Sequence, residues 1–227
     1  MSSNFIVVIP ARAGSKRIPK KNIYPLLGKP LLNYILEKIE FLEWKKMTYV
    51  SSDSYEIGKF AIEKNILFHK RPEKYSLDSS STESVILNIL DTFHSENLPK
   101  FVVTLPPTSP LLDSCSIINA LDLFEKNFDN YDSLISVTKT KMDVWHYKNN
   151  QFKRLFPDAP RSQQEREPLF EENSAIYITK TKALIKSNSI LGEKVLPFEI
   201  SQKEAIDINT IDDIKLAEFF LRKDYKD

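Results

Sequence analysis

FIVVIPARAGSKRIPKKN, residues 5–22, is the stretch that decides the fold predicted for this chain. Residues 5–9 form an unbroken apolar run rich in β-branched side chains, which predicts a strand buried on both faces in a parallel sheet. Pro10 ends the run, and no apolar periodicity continues beyond it. Open α/β sheets bind their ligands at the carboxyl ends of such strands. The sequence therefore predicts a ligand-binding loop directly after the first strand.

This loop is strongly cationic. Its positively charged side chains are Arg12, Lys16, Arg17, Lys20 and Lys21. They surround Gly14 and Ser15, and exposed amides beside a glycine favour an anion, of which a polyphosphate is the simplest. A merely solvated basic loop is the alternative interpretation. The spacing matches neither G-x-G-x-x-G nor G-x-x-x-x-G-K-[ST], so a dinucleotide-binding fold and a P-loop ATPase are disfavoured.

Residues 11–22, ARAGSKRIPKKN, resemble the amino-terminal motif of the acylneuraminate cytidylyltransferases. That family comprises the CMP-sialic acid synthetases and bacterial relatives that act on legionaminic or pseudaminic acid. In this family the loop wraps the triphosphate of CTP, so the resemblance implies catalytic roles for Arg12 and Lys21. It also implies that the nucleotide is contacted by Ala11, Arg12, Gly14, Ser15, Lys16 and Asn22.

Length and composition limit the class of protein. At 227 residues and 41% hydrophobic, the chain can form a single domain over residues 1–227. The net charge of +1 argues against a nucleic-acid-binding surface. The first residues resemble no signal peptide, and no run approaches the roughly 20 apolar residues of a membrane span, so we expect a cytoplasmic protein. The lone Cys115 is interpreted as a small helix residue.

Strands and helices alternate beyond the first loop. Helices are predicted over residues 30–42, 54–64, 81–93 and 116–124, and after residue 210. Further strands are predicted over residues 47–51, 66–68, 101–105, 133–137 and 174–179. This alternation predicts an α/β fold with a doubly wound, mostly parallel sheet, and the resemblance implies its Rossmann-like nucleotidyltransferase form. Asp53 is predicted to cap the second helix through a capping box with Glu56.

The loop RPEKYSLDSSST, residues 71–82, resembles the segment of the family that contacts cytosine. The resemblance assigns nucleotide binding to Arg71 and Ser81. Cytosine presents both donors and acceptors, and a guanidinium and a hydroxyl can answer them. In the alternative interpretation, Asp78 and the serines only cap the following helix. The two roles are compatible.

The stretch PPTSPL, residues 106–111, resembles the family motif L-Q-P-T-S-P-L-R, which lies where the sugar acid binds. The resemblance assigns substrate binding to Thr108 and Ser109. Pro106 replaces the glutamine of the motif and Leu112 replaces its arginine. Because a glutamine amide would have donated hydrogen bonds to the sugar, an unusual acceptor is expected.

Residues 139–172 differ from the rest of the chain, because their aromatic and aliphatic side chains follow no period. These side chains are Trp145, Tyr147, Phe152, Leu155, Phe156, Leu169 and Phe170. Apolar groups too sparse to form a core usually contact a partner. In the family this region is a dimerisation extension that reaches the other subunit's active site, which implies a homodimer here. Residues 160–178 resemble the family's RRQ-x(n)-NGAIYI motif, with Ser174 in place of its glycine. The resemblance assigns substrate binding to Gln164 and Asn173 and leaves open whether Arg161 or Arg166 reaches a site.

The stretch EAIDINTIDDIKLAEFFL, residues 204–221, resembles the family's last motif and helix. In the family, paired aspartates of this motif hold the Mg²⁺ bound to CTP, which implies metal-binding roles for Asp207 and Asn209. Asn209 replaces the second aspartate, so the site has one negative charge fewer and we expect weaker metal affinity. Asp212 and Asp213 are interpreted as structural, since Thr210 and Asp213 have the spacing of a capping box.

The resemblance as a whole implies a cytidylyltransferase that activates a nine-carbon 2-keto sugar acid of the sialic acid type with CTP and releases pyrophosphate. Two alternatives remain open. A CMP-Kdo synthetase has a related first motif, and the departures at Pro106, Leu112 and Asn209 allow a nucleotide-binding paralogue without catalysis. No general base is assigned, because none of the three histidines lies in a recognised motif.

Overall fold

A computed structural model describes residues 4–77 and 79–224 of the chain. Among these residues, seven strands form one sheet: β1 (Phe5–Pro10), β4 (Thr48–Ser52), β5 (Leu67–Lys70), β6 (Phe101–Thr104), β7 (Ser133–Thr140), β10 (Leu169–Lys180) and β11 (Val195–Glu199). Two small hairpins pair β2 (Pro25–Leu26) with β3 (Lys29–Pro30) and β8 (Trp145–Lys148) with β9 (Gln151–Arg154). The helices are α1 (Leu31–Phe41), α2 (Tyr55–Glu63), α3 (Thr82–Leu90), α4 (Ser114–Lys126), α5 (Thr181–Ser187) and α6 (Ile211–Asp224).

The main sheet is mostly parallel. Its strand order is β11-β7-β10-β6-β1-β4-β5. β1 pairs in parallel with both β4 and β6, whereas β10 runs antiparallel between β6 and β7. The predicted doubly wound, mostly parallel sheet is therefore confirmed.

β1 is buried on both faces of the sheet, as predicted. Val7 and Ile9 pack into a cluster with α1, including Leu36. The alternate residue Val8 packs on the opposite face against α3, including Ile86. Because both faces are covered by helices, the carboxyl end of β1 is the part of the strand that leads to solvent.

The predicted cap of α2 is wrong by one residue. The side chain of Ser54, not that of Asp53, accepts the backbone N–H of Ile57, at 3.4 Å. The Asp53 carboxylate instead accepts the backbone N–H of Ala13 at 2.8 Å, across 40 residues of sequence. A long-range partner therefore outcompetes the local cap, which the spacing alone could not indicate.

The other predicted caps agree with the structure. Ser81 caps α3 by accepting the backbone N–H of Ser84 at 3.2 Å. The predicted role of Asp78 lies outside the described residues. Asp213 accepts the backbone N–H of Thr210 at 2.7 Å, which confirms the capping box of the last helix.

Neither β11 nor α5 was predicted, and neither were the two small hairpins. β11 contains Pro197 and pairs only with β7, at the edge of the sheet. Proline cannot donate to a neighbouring strand, so it is tolerated at an edge but weakens the sequence signal for a strand. α5 spans only seven residues, which is too short for a clear helical period.

Residues 139–172, called the extension below, contain the hairpin of β8 and β9. Every residue of β8 is exposed, and Trp145 stacks on Phe152 with ring centroids 5.0 Å apart. Exposed fractions of 67% for Tyr147 and 66% for Phe152 show that the hairpin buries little apolar surface.

No helix in the described part of the chain combines the length and apolar character of a membrane span. The cytoplasmic location stays a prediction.

Lys38 connects α1 to the loop that follows β6. Its ammonium donates to the carbonyl oxygens of Tyr34, at 3.2 Å, and of Pro110, at 3.0 Å. Burial is the main cause that lowers the pKa of Lys38 from its ordinary value of 10.5 to about 8. The folded state therefore binds this proton less tightly than the unfolded chain does, and the free energy of unfolding increases as the pH rises above about 8.

Replacing Lys38 with methionine tests this contribution. Between pH 8 and pH 10, the unfolding free energy of the parent should rise by roughly 2 kcal/mol relative to that of Lys38→Met, because the variant has no proton to lose. Urea unfolding at several pH values measures the difference. Lys46→Met, at an exposed lysine, is the matched control and should follow the parent. Parallel pH profiles for Lys38→Met and the parent would contradict the assignment.

Candidate active site

A cleft of about 390 Å³ opens at the carboxyl ends of β1 and β6. Its lining comprises Pro10, Arg12, Ser15, Lys16, Arg17, Ile18, Lys21, Asn22, Pro106, Pro107 and Thr108. The structure thus brings the cationic loop and the 106–111 motif to one place. No heavy atom lies within 4 Å of where a Cβ on Gly14 would be, so the backbone there is open to a ligand.

Hydrogen bonds from outside the loop fix its shape. Asn22 is 5% exposed and donates from Nδ2 to the carbonyl of Arg12 at 2.7 Å. Ala11 is fully buried and donates its backbone N–H to the carbonyl of Ser51 at 2.9 Å. Together with the Asp53 contact to Ala13, these bonds hold the backbone from which the cations project. Asp53 is a site-forming residue that the sequence did not indicate.

Lys21 joins the loop to the chain segment before α6. Its ammonium donates to the carbonyl of Ile208 at 2.6 Å and lies 3.4 Å from Oδ1 of Asn209. Burial lowers the pKa of Lys21, and the charge of Asp207 opposes this effect. The Ile208 N–H donates to the carbonyl of Thr108 at 2.8 Å, so three distant segments meet at this lysine.

Asp207 and Asn209 contact each other directly. Nδ2 of Asn209 donates to the Asp207 carboxylate, and the Asn209 backbone N–H donates to the carboxylate of Asp213 at 2.9 Å. Nowhere in residues 4–77 and 79–224 do three or more His, Cys, Asp or Glu side chains converge into a metal site made by protein groups alone. Mg²⁺ can be bound by one carboxylate together with substrate phosphates, which Asp207 fits. Asn209 would fit only with its amide rotated, because its nitrogen now faces Asp207.

Arg71 lies beside the cleft and is only 6% exposed. It donates from Nη2 to the carbonyl of Ser51 at 2.9 Å and from Nε to the hydroxyl of Ser51 at 3.3 Å. Burial lowers the pKa of Arg71, whereas the nearby charge of Asp53 raises it. Nη1 has no acceptor among the described residues. Ser81, by contrast, is exposed and serves as the cap of α3.

The residues assigned to sugar-acid binding differ in their burial and in their hydrogen-bond partners. Ser109 is 2% exposed, and its hydroxyl has no hydrogen-bond partner among the described residues. Asn173 is 9% exposed; its Oδ1 accepts from the Ser136 hydroxyl at 2.6 Å, and its Nδ2 has no partner among the described residues. Gln164 is exposed in the extension and does not line the cleft.

Tyr177 is a further residue near this region that the sequence did not single out chemically. Its hydroxyl contacts the Glu172 carboxylate at 2.5 Å and the Ser174 hydroxyl at 3.0 Å. Burial, reinforced by Glu172, raises the pKa of Tyr177, and the charge of Asp207 acts in the same direction. Ser174 has φ of 60° at a bulge in β10, a conformation that the glycine of the family motif would adopt more easily.

The structure distinguishes the two arginines that the sequence left unresolved. The Arg166 guanidinium donates to the Asp143 carboxylate at 3.1 Å and to the carbonyl oxygens of Lys141, Pro160 and Arg161. Its side chain is only 9% exposed, whereas that of Arg161 is 80% exposed. Arg166 therefore organises the extension, and Arg161 is the arginine whose side chain reaches solvent.

Comparison with known proteins decides the family. The protein-family model described as Cytidylyltransferase matches residues 6–219. This chain belongs to the cytidylyltransferase family. The match covers the first strand, the cleft, the extension and most of the last helix, so the resemblance predicted from the motifs is confirmed.

Relatives with curated names lie within the same family. The chain is 29% identical over 221 residues to an N-acylneuraminate cytidylyltransferase of Escherichia coli, which covers 96% of this chain and 52% of that protein. The chain thus spans about half the length of this relative. It is 27% identical to a pseudaminic acid cytidylyltransferase of Campylobacter jejuni, with 97% of each chain covered. It is 30% identical to a CMP-N,N'-diacetyllegionaminic acid synthase of Legionella pneumophila, with 94% of each chain covered.

Solved structures share the fold. A CMP:2-keto-3-deoxy-manno-octonic acid synthetase complexed with CTP aligns with a TM-score of 0.72 at 13% identity, covering 98% of this chain and 100% of that chain. A 4-diphosphocytidyl-2C-methyl-D-erythritol synthase from Anaerococcus prevotii aligns with a TM-score of 0.70 at 16% identity, covering 97% of each chain. At these identities the likeness establishes the architecture alone.

The contrast between Arg166 and Arg161 can be tested by conservative exchange. Arg166→Lys should raise amide hydrogen exchange over residues 141–166 by at least about tenfold, because one ammonium cannot satisfy four separated acceptors. Arg161→Lys, the matched control, should leave exchange unchanged. Mass spectrometry of the two variants measures this directly. Equal protection in both would show that Arg166 does not organise the extension.

Proposed function

We propose that this protein transfers CMP from CTP to the anomeric hydroxyl of a nine-carbon 2-keto sugar acid of the sialic acid type, releasing pyrophosphate. The observation that carries the proposal is the cleft in which the cationic loop, Thr108 and the segment 207–209 converge through Lys21. The relatives are named for N-acylneuraminate, pseudaminic acid and legionaminic acid, and these names support this class of acceptor. The chain spans about half of the first relative and nearly all of the other two.

The reaction demands positioning and charge neutralisation more than covalent chemistry. The sugar hydroxyl oxygen forms a bond to the α-phosphorus of CTP while the bond from that phosphorus to the pyrophosphate oxygen breaks in line. Arg12 offers a planar fork for phosphate oxygens, and Lys16 and Lys21 offer point charges. The loop backbone, held by Asn22 and Asp53, presents these groups before substrate arrives, so little reorganisation is needed.

Mg²⁺ is the divalent cation proposed for the site. Asp207 would hold it together with phosphate oxygens of CTP, and the cation would withdraw charge from the departing pyrophosphate. Asn209 would join Asp207 only after its amide turns its oxygen towards the cation. The hydrogen bond between Asn209 and Asp207 is also the observation that favours the second candidate, a nucleotide-binding paralogue without catalysis.

The nucleotide base would be bound by Arg71, and Ser81 is proposed as a further contact. On the acceptor side, Thr108, Ser109 and Asn173 are proposed to bind the sugar acid. Leu112, which replaces an arginine of the family motif, is 1% exposed within the core and cannot contact a ligand. The acceptor region therefore lacks one cation that the family motif would supply.

The extension is proposed to form a homodimer. Its exposed aromatic residues include the stacked pair of Trp145 and Phe152, and burial of this surface against a second copy would stabilise association. In that dimer, Arg161 rather than Arg166 is proposed to reach the neighbouring site, and Gln164 would act there as well. Sedimentation velocity should show a dimer at assay concentrations, and a monomer would contradict this part of the proposal.

The cationic loop offers a pair of neighbouring lysines for testing the role of Lys21. Lys21→Met should reduce pyrophosphate release at least about a hundredfold, because a phosphate-stabilising charge is lost from a desolvated position. Lys20→Met is the matched control, since Lys20 is exposed and pairs with Glu56. It should retain near-parental turnover. Near-normal release by Lys21→Met in a folded protein, confirmed by circular dichroism, would refute the phosphate-binding role.

Substitutions at Asp207 and Asn209 test the metal assignment. Asn209→Asp should lower the Mg²⁺ concentration for half-saturation, since a second carboxylate strengthens attraction for the cation. Asp207→Ala should abolish metal-dependent CTP binding. Calorimetry of Mg²⁺ and CTP binding and assays of pyrophosphate release with a panel of keto sugar acids measure both.

Each outcome of the metal experiment separates the candidates. Identical Mg²⁺ dependence in the parent and both variants would exclude Asp207 and Asn209 as a metal site. If the parent binds CTP but releases no pyrophosphate, and Asn209→Asp restores release, the parent is the non-catalytic paralogue.

A further inference from the structure

Ser51, His69 and Arg71 form a hydrogen-bonded group at the carboxyl ends of β4 and β5. Ser51 and His69 are register partners on these neighbouring strands. The Ser51 hydroxyl lies 3.0 Å from Nδ1 of His69 and 3.3 Å from Nε of Arg71. Ser51 is fully buried, and His69 is partly buried. The motifs of the sequence assign no role to Ser51 or His69.

The direction of each hydrogen bond follows from the chemistry of the groups. A guanidinium can only donate, so the Ser51 hydroxyl accepts from Arg71. The single hydrogen of that hydroxyl is then available for Nδ1 of His69, which must carry a free lone pair. Both hydrogen bonds of the Ser51 hydroxyl are satisfied when the imidazole is neutral and its proton resides on Nε2.

Protonation of His69 would break this arrangement. Both Nδ1–H and the Arg71 Nε–H would then point at one serine oxygen, and the hydroxyl hydrogen of a fully buried residue would lose its acceptor. The imidazolium would also face the positive charge of Arg71. Either consequence shifts the guanidinium away from its present position.

Polar and charged groups on neighbouring elements influence both His69 and Arg71. Burial is the main cause that lowers the pKa of His69; Arg71 acts in the same direction, and Asn88 on α3, a neutral group, opposes both. Asp53, after β4, and Arg12, after β1, act with opposite signs on Arg71. The surroundings thus favour the neutral imidazole and hold the pKa of His69 below its ordinary value.

We propose that His69 is a positioning residue for the nucleotide: through the Ser51 hydroxyl it holds the guanidinium of Arg71 towards the base, and protonation of its ring weakens CTP binding. This inference rests on the proposed function, in which Arg71 contacts cytosine. It adds a pH-sensitive control of base recognition, located outside the cleft lining.

A pair of substitutions separates the acceptor from the titratable proton. His69→Asn places an amide oxygen near the position of Nδ1 and cannot titrate, whereas His69→Leu provides no acceptor. His94→Asn, at an exposed histidine, is the matched control. CTP and UTP binding are measured by calorimetry at pH 5.5, 6.5 and 7.5, where titration of the ligand's own phosphates affects every protein equally.

The parent should lose about fivefold more CTP affinity than His69→Asn between pH 7.5 and pH 5.5, and His94→Asn should follow the parent. His69→Leu should bind CTP about tenfold more weakly at every pH and lose preference for CTP over UTP. CTP binding with equal pH dependence in the parent and His69→Asn would overturn the inference and leave the proposed function intact. Absence of CTP binding by the parent would overturn both.

Discussion

The hydrogen bond from the Lys21 ammonium to the carbonyl of Ile208 is the interaction on which the cleft depends. It joins residues 187 positions apart in the sequence, and it places a cation where burial lowers its pKa. An ammonium removed from water needs acceptors, so Ile208 and its neighbours must lie beside the first loop whenever Lys21 is charged. Since Ile208 also bonds to Thr108, the same contact positions the loop that follows β6.

Two carboxylates around the cleft accept hydrogen bonds from backbone N–H groups, and this favours an anionic ligand. Asp53 accepts the N–H of Ala13, and Asp213 accepts the N–H groups of Asn209 and Thr210. A carboxylate already bonded to backbone amides shapes the loop and competes less with a phosphate for the lysines and arginines. Asp207 differs, because its described partner is the side-chain amide of Asn209. It is therefore the carboxylate best suited to receive a cation.

Local sequence patterns predict much of the fold. The features that the sequence does not predict depend on contacts between residues far apart in the chain. The apolar run of β1 and the capping box of α6 are properties of adjacent residues, and both were predicted correctly. Asp53 was assigned wrongly because its partner, Ala13, lies 40 residues away. Arg161 and Arg166 have the same charge and similar surroundings in sequence, so only their exposure could separate them. Roles of individual site residues stay predictions until substrates are tested.

The departures from the family pattern lie in the segments that the family resemblance assigns to the sugar acid and to Mg²⁺. Residues of the first loop match the motif, whereas Pro106, Leu112, Ser174 and Asn209 do not. Leu112 stands where the motif has an arginine and is buried, so the chain lacks a cation there that could bind a sugar carboxylate. Ser109 and Asn173 nevertheless present buried donors that have no acceptor among the described residues. Leaving such groups unpaired costs roughly 1–3 kcal/mol each. A bound sugar acid whose oxygen atoms accepted these hydrogen bonds would recover that free energy. On the proposed function, the sugar acid would be held by neutral hydrogen-bond donors where the family motif uses an arginine.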